Sequence, residues 1–183
     1  MRFTETRLAG AFIVELEPVS DSRGFFARTF CAREFVAHGL SPTFVQCNLS
    51  VNARKGTLRG LHYQASPATE TKLIRCTRGA LYYVLVDMRS GSATYLQHVA
   101  VEISAENRMA LYVPGMVAVG YQALTDGAEA MYQVGEFYTP AAERGLRHDD
   151  PSLDISWPLP VTELSRKDAS WPLLSLTPAG ANR

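Results

Sequence analysis

Residues 71–87 read TKLIRCTRGALYYVLVD. Two runs rich in β-branched and aromatic residues, 71–77 (TKLIRCT) and 80–87 (ALYYVLVD), flank a turn signal, TRG, and the pattern predicts two strands joined by a turn. Similar short runs recur at 11–16, 43–51, 57–64, 95–103, 109–113, 117–124 and 129–135, with RKG, SPATE, RSGS and TDG among the signals between them. Closely spaced strands of this kind make an all-β sandwich or barrel.

Outside the strands, CAREFVAH at 31–38 is helical in pattern and is followed by Gly39, where a left-handed cap belongs. A second helical segment is expected at 163–170 (ELSRKDAS). The chain after Pro140 is polar and proline-rich, yet it carries Trp157, Leu159 and Trp171. Left in water these would form exposed apolar surface, so the tail is expected to pack back on the β core.

At 183 residues the chain fills one core, and residues 1–183 are read as one domain. Its 18 basic and 18 acidic residues cancel, which gives no field to attract nucleic acid or an anionic membrane. Cys31, Cys47 and Cys76 lack CxxC spacing, so buried free thiols are expected rather than bridges or zinc ligands. The N-terminal stretch MRFTETRLAGAFIVELEP lacks a leader pattern, and no segment approaches the roughly 20 apolar residues of a membrane span. These features predict a soluble cytoplasmic protein.

The four histidines are scattered. His38 ends the first helix, where its charge suits the C-terminus, and His98 and His148 read as surface residues. His62 lies in RGLHYQ with Gly60 on the same strand face, which allows close approach from that side. Either it is a core histidine with a satisfied ring, or it is a base inside a barrel whose tautomer a carboxylate fixes. With no H-x-H and no second histidine beside it, a metal site is not expected. No nucleophile elbow, P-loop or dinucleotide fingerprint occurs.

Arg23 in DSRGFF and Arg59 in LRGLH each neighbour a glycine. They are solvated surface groups or planar forks for a diphosphate. Tyr132 and Tyr138 flank QVGEF and are strand packing or phenols directed into a cavity as acids.

Together DSRGFF (21–26), QCN (46–48), GTLRGLHYQ (56–64), residues 70–95, MYQVGEFYTPAAERG (131–145), DDPSLDISWP (149–158) and LSRKDA (164–169) resemble the dTDP-4-dehydrorhamnose 3,5-epimerase family, in order and over nearly the whole chain. The resemblance implies a cupin-type double-stranded β-helix, or jelly roll, with a short N-terminal helix and a C-terminal helical segment. It also implies no metal or other cofactor, and a homodimer with exchanged or shared strands. The implied substrate is a dTDP-linked 4-keto-6-deoxy sugar: a base removes a proton beside the ketone, an enolate forms, and reprotonation from the other face inverts the carbon.

Carried over by resemblance, His62 is the base, Asp168 orients it, Lys72 stabilises the enolate oxygen and Tyr132 is the acid. Arg23 and Arg59 would hold the diphosphate, Gln46 and Asn48 the pyrophosphate or ribose, and Phe26 and Tyr138 the thymidine. Three positions depart from the family pattern. Arg28 stands where it has a glutamate that helps read the base. In YVPGMVAVGYQAL (112–124), Val119 stands where it has a histidine, and Tyr83 where it has that histidine's aspartate. Losing both members together avoids an unpaired buried charge. The expected activity is epimerisation at C3 and C5 or at C3 only. The alternatives are a keto-isomerase using the same enolate and a catalytically weak cupin that binds a sugar nucleotide.

Overall fold

The structure of the protein, a computed structural model, describes residues 1–175. In chain order the strands are β1 (Arg2–Glu5), β2 (Phe12–Glu15), β3 (Val19–Asp21), β4 (Gly24–Phe26), β5 (Gln46–Asn52), β6 (Leu58–Gln64), β7 (Lys72–Arg78), β8 (Ala80–Asp87), β9 (His98–Ser104), β10 (Ala110–Val113), β11 (Val117–Ala123), β12 (Ala128–Val134) and β13 (Glu143–Gly145). Helix α1 (Ala32–Ala37) precedes β5, and α2 (Arg166–Ser170) follows β13. Every strand read from an alternating run is present. The short β1, β3, β4 and β13 went unpredicted because three or four residues carry no usable periodicity. Strand β9 begins at His98 rather than Tyr95 because Tyr95–Gln97 forms a turn, with Leu96 at φ 62°.

Two large antiparallel sheets form, one in the order β1-β2-β10-β7-β12-β5 and one in the order β13-β6-β11-β8-β9, while β3 and β4 pair as a separate hairpin. Strands β7 and β8, adjacent in sequence, lie in different sheets. Gly79 sits between them at φ 71°, a conformation that disfavours a side chain, and turns the chain across the fold. That crossing makes a two-sheet jelly roll rather than a hairpin meander.

Period-two alternation sorts the side chains into layers. Between the sheets pack Ile74 and Cys76 of β7, Tyr83 and Leu85 of β8, and Val117, Val119 and Tyr121 of β11. Outside the first sheet, Leu73, Val14 and Tyr112 meet Phe35 of α1. Outside the second, Leu61, Val84, Val86 and Ala118 meet Leu146, Leu153 and Trp157. Each fully buried aliphatic side chain stabilises the fold by about 1.5–3 kcal/mol.

The tail packs back as expected, and this contact delivers α2 to the sheets. Thr162 N donates to Gly56 O at 3.1 Å and Leu58 N to Glu163 O at 2.9 Å, so residues 162–163 run beside the start of β6. Gln122, fully buried on β11, clasps Leu159 through both its amide groups. Ser165 then caps α2, its hydroxyl accepting from Asp168 N at 3.0 Å. Among the described residues no helix is long and apolar enough to cross a membrane.

Two expectations are corrected. Cys76 is buried, but Cys31 is half-buried and Cys47 exposed, because β5 is an edge strand with its outward face in water. His98 and His148 are half-buried rather than on the surface. Burial and Arg7 push the His98 imidazole down, and His148 Nδ1 is buried with no hydrogen-bond partner. His38 caps α1 as expected, with Nδ1 bonded to Glu34 O at 2.8 Å and its ring stacked on Phe3.

Candidate active site

A cavity of about 510 Å³ opens between the sheets. It is lined by His62 and Arg59 from β6, Lys72 from β7, Tyr83 from β8, Val119 and Tyr121 from β11, Tyr132 from β12 and Asp168 from α2. Strands from both sheets and the docked tail therefore bring together residues as far apart in the chain as Ser50 and Asp168.

Two glycines set the register. Gly60 has φ 102°, and a Cβ there would stand 2.7 Å from both Val119 O and Gly120 Cα. A Cβ on Gly120 would in turn meet Arg59 O at 2.9 Å. Strands β6 and β11 thus approach too closely for any side chain, and their pairing shifts between Val119 and Tyr121. The result places His62 opposite Val119 and Arg59 opposite Tyr121.

His62 Nε2 lies 2.6 Å from Asp168 Oδ1. Asp168 Oδ2 accepts from Gly60 N at 3.3 Å. The Asp168 side chain is 5% exposed and that of His62 35%, so the carboxylate is walled in while the ring keeps an open flank. Burial alone would raise the Asp168 pKa, but hydrogen bonds from His62 and the Gly60 amide outweigh it and hold the carboxyl below its usual value. An ionised carboxylate only accepts. In the neutral imidazole the proton therefore sits on Nε2, leaving the Nδ1 lone pair free.

Lys72 and Glu70 form an ion pair inside the fold, with side chains 11% and 12% exposed. Burial pushes the ammonium down, and Glu70 opposes that shift. Burial, Tyr121 and Glu70 push the Tyr132 phenol up, while Arg59 acts the other way. It therefore keeps its proton at neutral pH. Tyr83 is 2% exposed and packs at the back of the cavity against Tyr121, ring centroids 4.9 Å apart. Val119 presents only methyl groups.

All four residues carried over as catalytic line this one cavity, as do Arg59, Tyr83 and Val119. The others lie outside it. Arg23 and Phe26 are exposed on the β3–β4 hairpin, which pairs with neither large sheet, and Arg23 is bound to Asp21 at 2.5 Å. Phe26 and Arg28 line a separate depression with Met1, Glu17 and Glu34. Gln46 and Asn48 are exposed on β5, and Gln46 accepts from Tyr138 N at 3.2 Å. Tyr138 is exposed and donates to Glu143 at 2.7 Å, and Glu143 also pairs with Lys167 beside Asp168.

Sequence reasoning missed Glu70, Ser50, Asn52 and Tyr121. Glu70 stands two residues before Lys72, and Ser50 and Asn52 are likewise two apart on one face of β5. For Ser50 and Asn52 that same-face spacing is a signal, though one shared with any alternating strand, and Glu70 lies just before β7 rather than on it. Among the described residues no three His, Cys, Asp or Glu side chains cluster as metal ligands.

Residues 5–175 match the sequence profile described as dTDP-4-dehydrorhamnose 3,5-epimerase. The chain is 40% identical over 180 residues to the enzyme of that name from Methanothermobacter thermautotrophicus, covering 97% of this chain and 96% of that protein. A crystal structure of the Bacillus anthracis dTDP-4-dehydrorhamnose 3,5-epimerase with TDP and PPi bound superposes with a TM-score of 0.91 at 38% identity, covering 94% of this chain and 99% of that one. A 3'-monoepimerase from Streptomyces bikiniensis in complex with dTDP-quinovose superposes with a TM-score of 0.84 at 34% identity, covering 92% and 85%. With its cupin-type jelly roll, the chain is an isomerase that belongs to the dTDP-4-dehydrorhamnose 3,5-epimerase family.

Proposed function

We propose that the chain epimerises a dTDP-linked 4-keto-6-deoxyhexose. The observation that carries this reading is the His62–Asp168 pair, 2.6 Å apart, at the wall of a cavity that also holds Lys72 and Tyr132. His62 Nδ1 takes the proton from the carbon beside the ketone, and the electron pair moves onto the carbonyl oxygen as an enolate. The Lys72 ammonium meets the charge as it develops. Tyr132 donates its proton to the opposite face of the carbon. The imidazolium and phenolate return to their starting states by proton exchange with water at the open mouth, so no net proton is consumed. Arg59, exposed at the rim, holds the diphosphate in a planar fork.

Reaction at C3 alone is the second reading. Val119, opposite His62 in the β6–β11 register, gives the sugar no hydrogen bond with which to settle in the second orientation that inversion of C5 needs.

The test is incubation with dTDP-4-keto-6-deoxyglucose in deuterated water, with C3 and C5 followed by NMR. Deuterium at both carbons is the result expected of the full reaction, and deuterium at C3 alone selects the second reading. No exchange by the wild type, with His62→Ala behaving identically, removes the catalytic claim for this substrate.

The chain is also proposed to work as a homodimer. The β3–β4 hairpin holds Phe25 and Phe26 in solvent, and the β5 edge exposes Leu49 and Val51. Such apolar, unpaired edges are covered in stable proteins. A second copy reaches these surfaces with the hairpin, which brings Arg23 and Phe26 to the neighbouring cavity. Sedimentation at micromolar concentration is expected to give the dimer mass; a monomer there refutes the assembly.

A further inference from the structure

Arg59 is exposed, yet it is held at two points. Its Nε donates to Asn52 Oδ1 at 2.9 Å, and its Nη2 donates to Val51 O at 3.2 Å. Among the described residues no carboxylate pairs with it. Asn52 is 1% exposed, which makes every one of its polar contacts consequential, because a buried amide without partners is destabilising. Its Nδ2 donates to Ala128 O at 3.0 Å. Its Oδ1 takes Arg59 on one lone pair and lies 3.3 Å from the Tyr121 hydroxyl on the other. Turning the amide over would set NH₂ against Arg59 and oxygen against a carbonyl, so its orientation is fixed from both ends.

Tyr121 is fixed as well. Its hydroxyl lies 3.0 Å from Ser50 Oγ, and its ring packs on Tyr83. A continuous line of contacts therefore runs from Tyr83, deep in the cavity, through Tyr121 and Asn52 to the guanidinium at the rim. The Asn52 oxygen is used on both lone pairs, by Arg59 and Tyr121, and its Nδ2 donates to Ala128 O, so the oxygen has nothing left to offer a ligand. Three of the five Arg59 N–H groups remain free for one.

From this arrangement we infer that Asn52 is a positioning residue for Arg59: with Tyr121 as its brace, it aims the guanidinium fork at the diphosphate of the substrate. The inference rests on the reading of Arg59 as the diphosphate-binding group. It adds that the fork is pre-oriented before ligand arrives, so little side-chain freedom is lost on binding. It also gives Tyr83 a role at a distance, as the floor on which the brace stands.

The experiment measures binding of dTDP to the intact chain by calorimetry, for the wild type, Asn52→Ala, Arg59→Ala and the double variant. Asn52→Ala is expected to weaken binding by about 10-fold, the size of one charge-assisted hydrogen bond. In the Arg59→Ala background the same change is expected to have less than about 2-fold effect, because its target is gone. Tyr121→Phe, which removes only a hydroxyl, serves as the second variant where Asn52→Ala does not fold. It is expected to show a smaller loss with the same dependence on Arg59. An equal loss with and without Arg59 overturns the inference, since it marks a merely structural role. No loss from either change overturns it too. If Arg59→Ala binds dTDP as the wild type does, the diphosphate reading of Arg59 fails first and the inference falls with it.

Discussion

Asp168→Asn is expected to lower kcat by on the order of 10²–10⁴-fold, the range that a positioned general base contributes, and to abolish solvent deuterium exchange on the same scale. The fold is expected to survive, because Asn keeps the size of the side chain and the backbone cap from Ser165 is untouched. What changes is the proton on His62. Ionised Asp168 accepts from Nε2 and leaves Nδ1 bare. An amide whose NH₂ faces the ring donates instead, and the imidazole proton is driven to Nδ1, where the substrate proton has to go. The loss is thus one of tautomer rather than of contact. Activity of Asp168→Asn within a few-fold of the wild type, measured alongside an inactive His62→Ala, would falsify the orienting role.

The second large effect belongs to Lys72. Lys72→Met keeps the length of the side chain and removes its charge, and it is expected to lower kcat by about 10²–10³-fold, as loss of one oxyanion donor does elsewhere. Glu70→Gln reports on the same group through pH. Burial already pushes the Lys72 ammonium below its ordinary value, with Glu70 pulling the other way. Removing the carboxylate takes away only the contribution that raises the pKa, so it falls further. Lys72 is charged below its pKa and neutral above it, so the alkaline limb of the kcat profile is expected to move to lower pH in Glu70→Gln. An unmoved or upward-shifted limb removes Lys72 as the group that titrates there. Loss of Glu70 also lowers the Tyr132 phenol, because Glu70 helps to raise it, so a limb set by Tyr132 would move the same way; the shift belongs to Lys72 when it persists in a Tyr132→Phe background.

Much of this site is legible in the order of residues. The strands of the core announce themselves as short runs of β-branched and aromatic residues, with β10 and β11 buried on both faces. His62 draws notice through its neighbour Gly60, and the structure supplies the reason: that glycine is where two backbones touch. Asp168 was placed by resemblance alone, since no local pattern tells that a residue 106 positions along the chain will fold back over β6. The docking at Gly56 and Gln122 that brings it there is made of backbone and amide bonds, which leave no hydrophobic trace. The exposed positions of Arg23, Phe26, Gln46 and Asn48 were not readable either. Side-chain chemistry shows what a residue can bind but not whether its own chain supplies the rest of the pocket. Glu70, just before β7, and Asn52, on β5, escaped notice because a spacing of two from a polar neighbour looks like ordinary alternation.

The contact between Gly60 and Gly120 bears on how such a site changes over generations. Position 119 draws its place from two neighbouring backbones that have no room to move, not from the bulk of its own side chain. Substitution there alters the chemistry offered to the sugar and leaves the frame alone. A polar residue at this buried point keeps the two backbones in place but needs a partner of its own, whereas a single methyl group at either glycine drives the strands apart. What the wall offers the sugar and what holds the scaffold rigid are in this way set at adjacent residues.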